Sequence, residues 1–323
     1  MRIVFMGTPE FAVPALEKLV ENHYEISAVV TQPDRPVGRG RALAPSPVKA
    51  FAVSHQLPVL QPESLKKPGI DGKLRTLRPD VIIVVAFGQL LPKQVLEIPP
   101  LGCLNVHPSL LPKYRGPSPV AGAILAGESK TGVTIMLMDE GWDTGPILAQ
   151  RPVAILPDDT TGSLEKKLSL VGAELLIDVL PRWAAGQIKP QPQNPNQATY
   201  TKPITKNDGR IDWRMPADEL ALRCRAFNPW PSCFTFFGGK LLKILRARPY
   251  LKWRPEDVVA EALVPGKVIE VQVPNGAGGE KAIGVVTGRG VLLLQEVQLE
   301  GGRPMPIEQF VRGQRGFVGS VLS

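Results

Sequence analysis

The first half of the chain alternates short, unbroken apolar runs with stretches of helical periodicity, and this restricts the fold more than any other feature. "RIVFMG" (2–7) leads into the amphipathic "EFAVPALEKLVEN", and "ISAVVT" (26–31), "VIIVVAF" (81–87), a run ending in "LNVH" (104–107) and "GVTIMLMD" (132–139) follow. Strands that are apolar on both sides suit a parallel sheet covered by helices on both faces. The expectation is a doubly wound, Rossmann-like α/β domain with a mainly parallel sheet. Farther on, Leu164, Leu168, Val171, Leu175 and Val179 recur at helical spacing behind Thr160 and Thr161, the candidate caps. One long helix, ending at "AAGQ", is expected to close this domain.

At Lys189 the character changes to "KPQPQNPNQATYTKP", poor in apolar residues and dense in Pro, Asn and Gln, a linker signature. Beyond it "MPADELALRCRAF" reads as a helix with acids at its start and Arg223 and Arg225 towards its end. "GKVIEVQV" and "KAIGVVTGRGVLLLQEVQL" then read as short strands separated by Gly-rich turns, as in a small barrel. With 323 residues and 43% hydrophobic content the chain can bury two moderate cores. The expected organisation is an α/β domain over 1–188, a linker over 189–205 and a β-rich domain over 206–323.

Several classes are excluded by what the chain lacks. The first turn, "MGTPEFA", has one glycine, and neither G-x-G-x-x-G nor G-x-x-x-x-G-K-[ST] occurs, which argues against NAD and ATP. No run is long and apolar enough to span a bilayer, and Pro9 and Glu10 interrupt the first strand before a signal peptide could develop. A soluble, cytoplasmic protein is expected. Cys103, Cys224 and Cys233 are odd in number without a C-x-x-C pair, so neither a disulfide framework nor a zinc site is expected. His23, His55 and His107 stand far apart, and no bound metal is expected.

Charge is unevenly placed. Residues 1–200 carry 20 basic and 18 acidic side chains, against 18 and 12 in 201–323, so most of the net +8 lies in the last third. Its densest stretch, "KLLKILRARPYLKWR" (240–254), holds Lys240, Lys243, Arg246, Arg248, Lys252 and Arg254, with Tyr250 and Trp253 among them and no acid. It is a candidate footprint for a phosphate backbone, weighed against an ordinary solvated strand. A second basic segment, around 33–43, sets Arg35, Arg39 and Arg41 against one acid, Asp34, and its Gly and Pro content predicts a loop excursion.

The chemistry concentrates in "GCLNVHPSLLPKYRG" (102–116). Strand alternation projects Asn105 and His107 to one side and Leu104 and Val106 to the other. Asp139, Glu140 and Asp143 follow the next strand, which brings an amide, an imidazole and a carboxylate to neighbouring strand ends. In that set Asn105 would donate to an oxyanion, His107 would polarise or protonate the same oxygen, and Asp143 would hold the imidazole and accept a proton. Neither Ser109 nor Cys103 has a base at a motif spacing, so direct transfer between two bound substrates is expected. Cys103 itself reads as a small buried apolar residue.

The combination of "NVHPSLLPKYRGPSP" with "TGVTIMLMDEGWDTGPIL" resembles the 10-formyltetrahydrofolate-dependent formyltransferases, whose catalytic set is an Asn, a His and an Asp. The matching positions are Asn105, His107 and Asp143, and Ser109, Leu110, Leu111 and Pro112 match that family's folate-contacting turn. "FMGTPEFAVPAL", "TQPDRPVGRGRALAPSPVK" (31–49) and "RIDWRMPADELALRCRAFNPWPS" (210–232) resemble the branch of the family that acts on a charged tRNA. The resemblance implies an OB-like second domain and transfer of a formyl group from 10-formyltetrahydrofolate to the methionine of initiator methionyl-tRNA. Within the basic segment Arg39 matches a functionally important arginine of that branch, and the charge pattern adds expected tRNA contacts from Arg35 and Arg41 and from Lys240, Lys243, Arg246 and Arg248; a monomer is expected. Trp142 departs from the smaller aliphatic expected in "GWDTG". A nucleotide-linked amino sugar is the alternative acceptor, and under it both basic segments lack a purpose.

Overall fold

A computed structural model describes residues 1–37, 42–252, 264–274 and 279–323. The chain divides into two compact units, the first made of Met1–Pro119, Ser129–Ile155 and Leu164–Lys202. Its strands are β1 (Arg2–Gly7), β2 (Glu25–Val30), β3 (Arg35–Val37), β4 (Ala42–Ala44), β5 (Val59–Leu60), β6 (Val81–Val85), β7 (Cys103–His107), β8 (Lys130–Leu137) and β9 (Ile147–Ala154). Helices α1 (Val13–Glu21), α2 (Pro47–Ser54), α3 (Ile70–Thr76) and α4 (Lys93–Leu96) lie between them, α5 (Pro119–Leu125) precedes β8, and α6 (Thr161–Ala184) follows β9.

Seven strands form one sheet in the order β5-β2-β1-β6-β7-β8-β9. The pairings from β5 through β7 are parallel, as the apolar runs lead one to expect. β8 departs from that expectation. It runs antiparallel to β7, with Leu104 opposite Leu137 and His107 opposite Thr134, and turns back into the antiparallel edge strand β9. An apolar run reports that both faces of a strand are covered and carries no direction. β9, where buried and accessible residues alternate and Pro152 interrupts, gives only a weak strand pattern.

β7 is packed from both sides. On one side Cys103 joins Met6, Val84, Phe87, Leu91 and Val95 in a buried cluster. Burial pushes its thiol up to about 12, as befits an inert core residue. On the other side lies α6, capped by the Thr160 hydroxyl, which accepts from the Ser163 amide at 3.2 Å. Leu164, Leu168, Leu175 and Val179 are buried along this helix as their spacing predicts, and Val171 is half-buried. Gly172 permits the close approach: a Cβ there would stand 2.8 Å from Val106 Cγ1 and 3.3 Å from Val133 Cγ1.

The stretch read as a linker is bonded into the first unit as far as Lys202. Gln191 exchanges both backbone hydrogen bonds with Ile147 at 2.8 Å, and Arg115 is held between Thr199 and Thr201 by backbone bonds of 2.9 and 2.8 Å. A segment rich in Pro and Gln cannot build a core of its own, yet its amides and carbonyls can still pair with a neighbour.

The second unit gathers Val120–Glu128, Leu156–Ser163 and Pro203–Ser323. It holds α7 (Ala217–Ala226), β10 (Cys233–Phe237), β11 (Lys240–Tyr250), β12 (Val268–Val273), β13 (Glu280–Val286), β14 (Val291–Leu299), β15 (Met305–Pro306) and α8 (Ile307–Gly313). These strands form an antiparallel sheet in the order β10-β11-β14-β13-β12, with β15 also on β14. Phe237 at the end of β10 meets Phe310 and Phe317, and these two meet each other, edge to face at 4.9–6.4 Å. Among the described residues no helix is long and apolar enough to cross a membrane.

The contact between α6 and β7 is open to a direct test. Replacing Gly172 by Val forces atoms into occupied space and should lower stability by about 1–3 kcal/mol, read from the midpoint of denaturant unfolding. An unchanged midpoint would mean that the helix does not press on Val106.

Candidate active site

Alternation along β7 puts Asn105 and His107 on the side of Cys103, while Val106 meets α6. The two polar groups are roughly 7 Å apart along the strand. Their surroundings differ. His107 is buried, with Nε2 at 3.1 Å from the Tyr114 carbonyl and Nδ1 at 3.7 Å from Asp143 Oδ2. Asn105 is half-buried, and its amide has no hydrogen-bond partner among the described residues.

Asp143 arrives by a route that sequence order conceals. Because β8 is antiparallel, its end lies beside the start of β7, so the connection to β9 must fold back to reach His107. Asp139 shapes this loop, its Oδ1 accepting from the Gly141 amide at 3.0 Å and from the Thr144 hydroxyl at 2.6 Å. Glu140 faces Lys93 at 3.6 Å. Asp143 adopts the left-handed φ of 53°, and its Oδ2 also accepts from the Gly116 amide at 2.8 Å. Gly116 has φ +106°, and a Cβ there would be 2.8 Å from the Thr201 carbonyl, so glycine is required for this donor to be presented. The three acids therefore have three different tasks.

Burial dominates the electrostatics of His107 and lowers its pKa below the ordinary 6.5. The Asp143 carboxylate and the Tyr114 carbonyl pull the other way. Both ring nitrogens face acceptors, so only the imidazolium would satisfy both, whereas desolvation favours the neutral ring.

The turn after β7 is braced internally. Ser109 Oγ donates to the Lys113 carbonyl at 2.6 Å, and the buried Leu111 donates its amide to Thr134 Oγ1 at 3.1 Å. Gln150 Nε2 donates to both the Leu111 carbonyl and Thr134 Oγ1 at 2.9 Å. Leu110 packs on β8 at Gly132, and it and Pro112 are half-buried. Ser109 and Leu111 thus shape the turn, while Leu110 and Pro112 keep some accessible surface.

The basic residues fall elsewhere. Arg35 opens β3 and is exposed, whereas Arg39 and Arg41 lie outside the described residues. Asp34, the one acid set among those arginines, is engaged by Lys49 at 2.6 Å and by Gln61 at 2.8 Å. Lys240, Lys243, Arg246 and Arg248 lie on β11 of the second unit, apart in the chain from Asn105, His107 and Asp143 of the first. Strict alternation would turn Arg246 and Arg248 to the side of the buried Leu242 and Ile244. Register shifts between Ile244 and Ala247 interrupt it, and both arginines are exposed. Among the described residues Lys240, Lys243 and Arg248 have no acidic partner, while Arg246 has only Asp158 at 4.0 Å. No group of residues able to hold a metal ion occurs among the described residues.

Apart from Arg115, which donates to Gln193, the residues missed by sequence reasoning are neutral. Thr134, Gln150 and Gln193 brace the site through hydrogen bonds, and Gln32 and Gln61 tie the loops after β1, β2 and β6. No charge or spacing marks such groups.

An amide beside an imidazole and a carboxylate, with no activated nucleophile next to them among the described residues, is an arrangement suited to direct acyl transfer. Residues 1–180 match the formyl transferase model, and residues 203–315 match the formyl transferase C-terminal domain. The chain belongs to the formyl transferase family. A methionyl-tRNA formyltransferase of Chloroflexus aggregans is 53% identical over 308 residues, 94% of either chain. Among solved structures, HypX from Aquifex aeolicus in complex with tetrahydrofolic acid has TM-score 0.63 and 18% identity, covering 99% of this chain and 48% of HypX. The chain thus spans about half the length of that protein. The methionyl-tRNA formyltransferase from Clostridium thermocellum has TM-score 0.54 and 16% identity, covering 89% of this chain and 99% of the other. At these identities the solved structures share the fold.

The depressed pKa of His107 yields a signed expectation. By NMR its titration midpoint should lie below 6.5, and Asp143→Asn should lower it further by removing the carboxylate that opposes burial. The unfolded chain then binds this proton more readily, so the contribution of His107 to stability is complete above about pH 6.5 and is lost as pH falls towards the folded value. A midpoint above 6.5 would reverse the balance of burial and charge.

Proposed function

We propose that the chain transfers the formyl group of 10-formyltetrahydrofolate to the α-amino group of methionine on initiator methionyl-tRNA, giving formylmethionyl-tRNA for translation initiation. The observation that carries this reading is the His107–Asp143 pair beside the unpartnered Asn105 amide, in a chain aligned almost end to end with a relative named for that reaction.

An α-amino group of pKa about 7.7–8.0 is partly neutral at physiological pH, so no strong base is needed for attack. The nitrogen lone pair adds to the formyl carbon, and the carbonyl π electrons move onto oxygen. Asn105 donates to this oxyanion. His107 joins it by giving the oxyanion the N–H otherwise directed at the Tyr114 carbonyl. The surplus amine proton passes to Asp143, directly or by way of water. Collapse breaks the bond between the formyl carbon and N10 of the folate, and N10 leaves with the proton that Asp143 took from the amine, which restores the carboxylate.

Leu110 and Pro112 would line the folate, with Ser109 and Leu111 shaping their turn. Catalysis is assigned to 1–188, with 189–205 leading to a tRNA-binding domain at 206–323. There Lys240, Lys243, Arg246 and Arg248 meet phosphates, while the loop bearing Arg35, Arg39 and Arg41 reaches the acceptor end. The protein acts as a monomer in the cytoplasm.

The test offers the purified protein 10-formyltetrahydrofolate together with either charged initiator tRNA or a nucleotide-linked amino sugar. Formylmethionine on tRNA is expected, and formylation of the sugar alone would overturn the acceptor. His107→Ala and Asp143→Ala should lower kcat/KM by about 10²–10⁴, and Asn105→Ala by about 10²–10³. A fully active variant at any of the three would remove that residue from the mechanism.

The strip on β11 makes a separate prediction. Lys243→Ala and Arg248→Ala should each weaken tRNA binding and reduce the slope of log affinity against log salt by roughly 0.7–0.9 for each phosphate no longer neutralised. Unaltered slopes would leave β11 as ordinary surface.

A further inference from the structure

The strongest unassigned feature is a side-chain bridge behind Asp143. Gln193 Nε2 donates to two backbone carbonyls of the loop, that of Asp143 at 2.8 Å and that of Gly145 at 2.7 Å. Its Oε1 accepts from Arg115, from Nε at 3.1 Å and Nη2 at 2.7 Å. Arg115 is only 4% exposed and has no carboxylate partner among the described residues. Nη1 also donates to the Tyr200 hydroxyl at 3.3 Å, and the Tyr200 ring centroid lies 5.9 Å from the guanidinium carbon. The following residue, Gly116, donates to the Asp143 carboxylate.

This bridge uses both ends of one amide. Two donors of a planar guanidinium converge on the one oxygen, which pins that end of the amide and assigns its other end as the donor. Its N–H groups are then aimed at carbonyls on either side of Thr144, next to a residue with φ 53°. A side chain in the left-handed region persists where its surroundings impose it. Arg115 thus sets Gln193, Gln193 sets the backbone of Asp143, and the Gly116 amide sets its carboxylate opposite His107.

We propose that Gln193, oriented by Arg115, is a positioning residue for formyl transfer, holding Asp143 in the backbone conformation from which its carboxylate faces His107. The inference rests on His107 and Asp143 being the working pair. It makes the Pro/Gln-rich segment around 191–201 a working part of the catalytic apparatus.

The test uses the full chain and compares Gln193→Leu with Gln193→Glu. Leu removes both halves of the bridge. Glu retains an acceptor for Arg115 but turns carboxylate oxygens towards the two carbonyls. Both variants should keep KM for the formyl donor within about twofold while kcat falls about 10- to 100-fold, measured below the thermal midpoint. If Gln193→Leu does not fold, Gln193→Glu carries the test, since it preserves length and the Arg115 contact. A kcat within twofold of the parent in a folded variant would overturn the proposal, as would an effect confined to the thermal midpoint. Placed in an Asp143→Asn background, Gln193→Leu should cost no further activity, because its effect runs through Asp143. An equal further decrease there would show a merely structural role. His107→Ala and Asp143→Asn, assayed alongside, separate the two levels: activity retained in them sinks the working pair, whereas activity abolished in them but kept in Gln193→Glu sinks only the positioning role.

Discussion

The carboxylate of Asp143 reaches a buried imidazole because several backbone constraints converge on one loop. The antiparallel course of β8 delivers the chain to the wrong end of β7, and the return is achieved by a turn closed on Asp139. The left-handed conformation of Asp143 then directs its side chain, and the Gly116 amide fixes one carboxylate oxygen. None of these interactions is itself chemistry. Together they set a charge opposite a ring that burial keeps neutral.

That arrangement has an energetic logic. A carboxylate beside a histidine ordinarily favours the imidazolium, but at His107 desolvation prevails. In the proposed mechanism this neutral ring donates its N–H to the oxygen on which charge develops, while the adjacent carboxylate takes the amine proton. Asn105, on the same strand face and without an internal partner among the described residues, complements it with a donor that needs no change of protonation. The rigidity of β7, packed at Val106 by α6 and at Cys103 by the opposite cluster, keeps these groups from drifting apart.

The legibility of this design in the sequence varies with the kind of physics involved. Asn105 and His107 are readable because alternation along a strand is a rigid geometric rule, and the α6 spacing is readable for the same reason. The direction of β8 is not, since hydrophobicity records coverage and not polarity of the chain. Asp143 is singled out from Asp139 and Glu140 by the family motif and not by residue type, because their tasks are decided by a folded loop. Gln193 is hidden more deeply. It lies in a stretch whose composition signals the absence of a core, and its importance comes entirely from hydrogen bonds to residues 48 to 78 positions earlier.

Recognition and chemistry also differ in the precision they demand. A phosphate backbone presents many equivalent charges, so the basic strip proposed on β11 would work through the number and exposure of its cations, and the register shifts there leave Arg246 and Arg248 exposed. Formyl transfer tolerates no such averaging, since an error of about 1 Å at the reacting groups costs roughly a hundredfold in rate. On the proposed reading this difference accounts for β11 cations that, among the described residues, have few acidic partners, whereas Asp143 is held at its carboxylate by Gly116 and at its carbonyl by Gln193. It also explains why charge density points to β11 from the sequence, while the bracing of Asp143 emerges only from the folded chain.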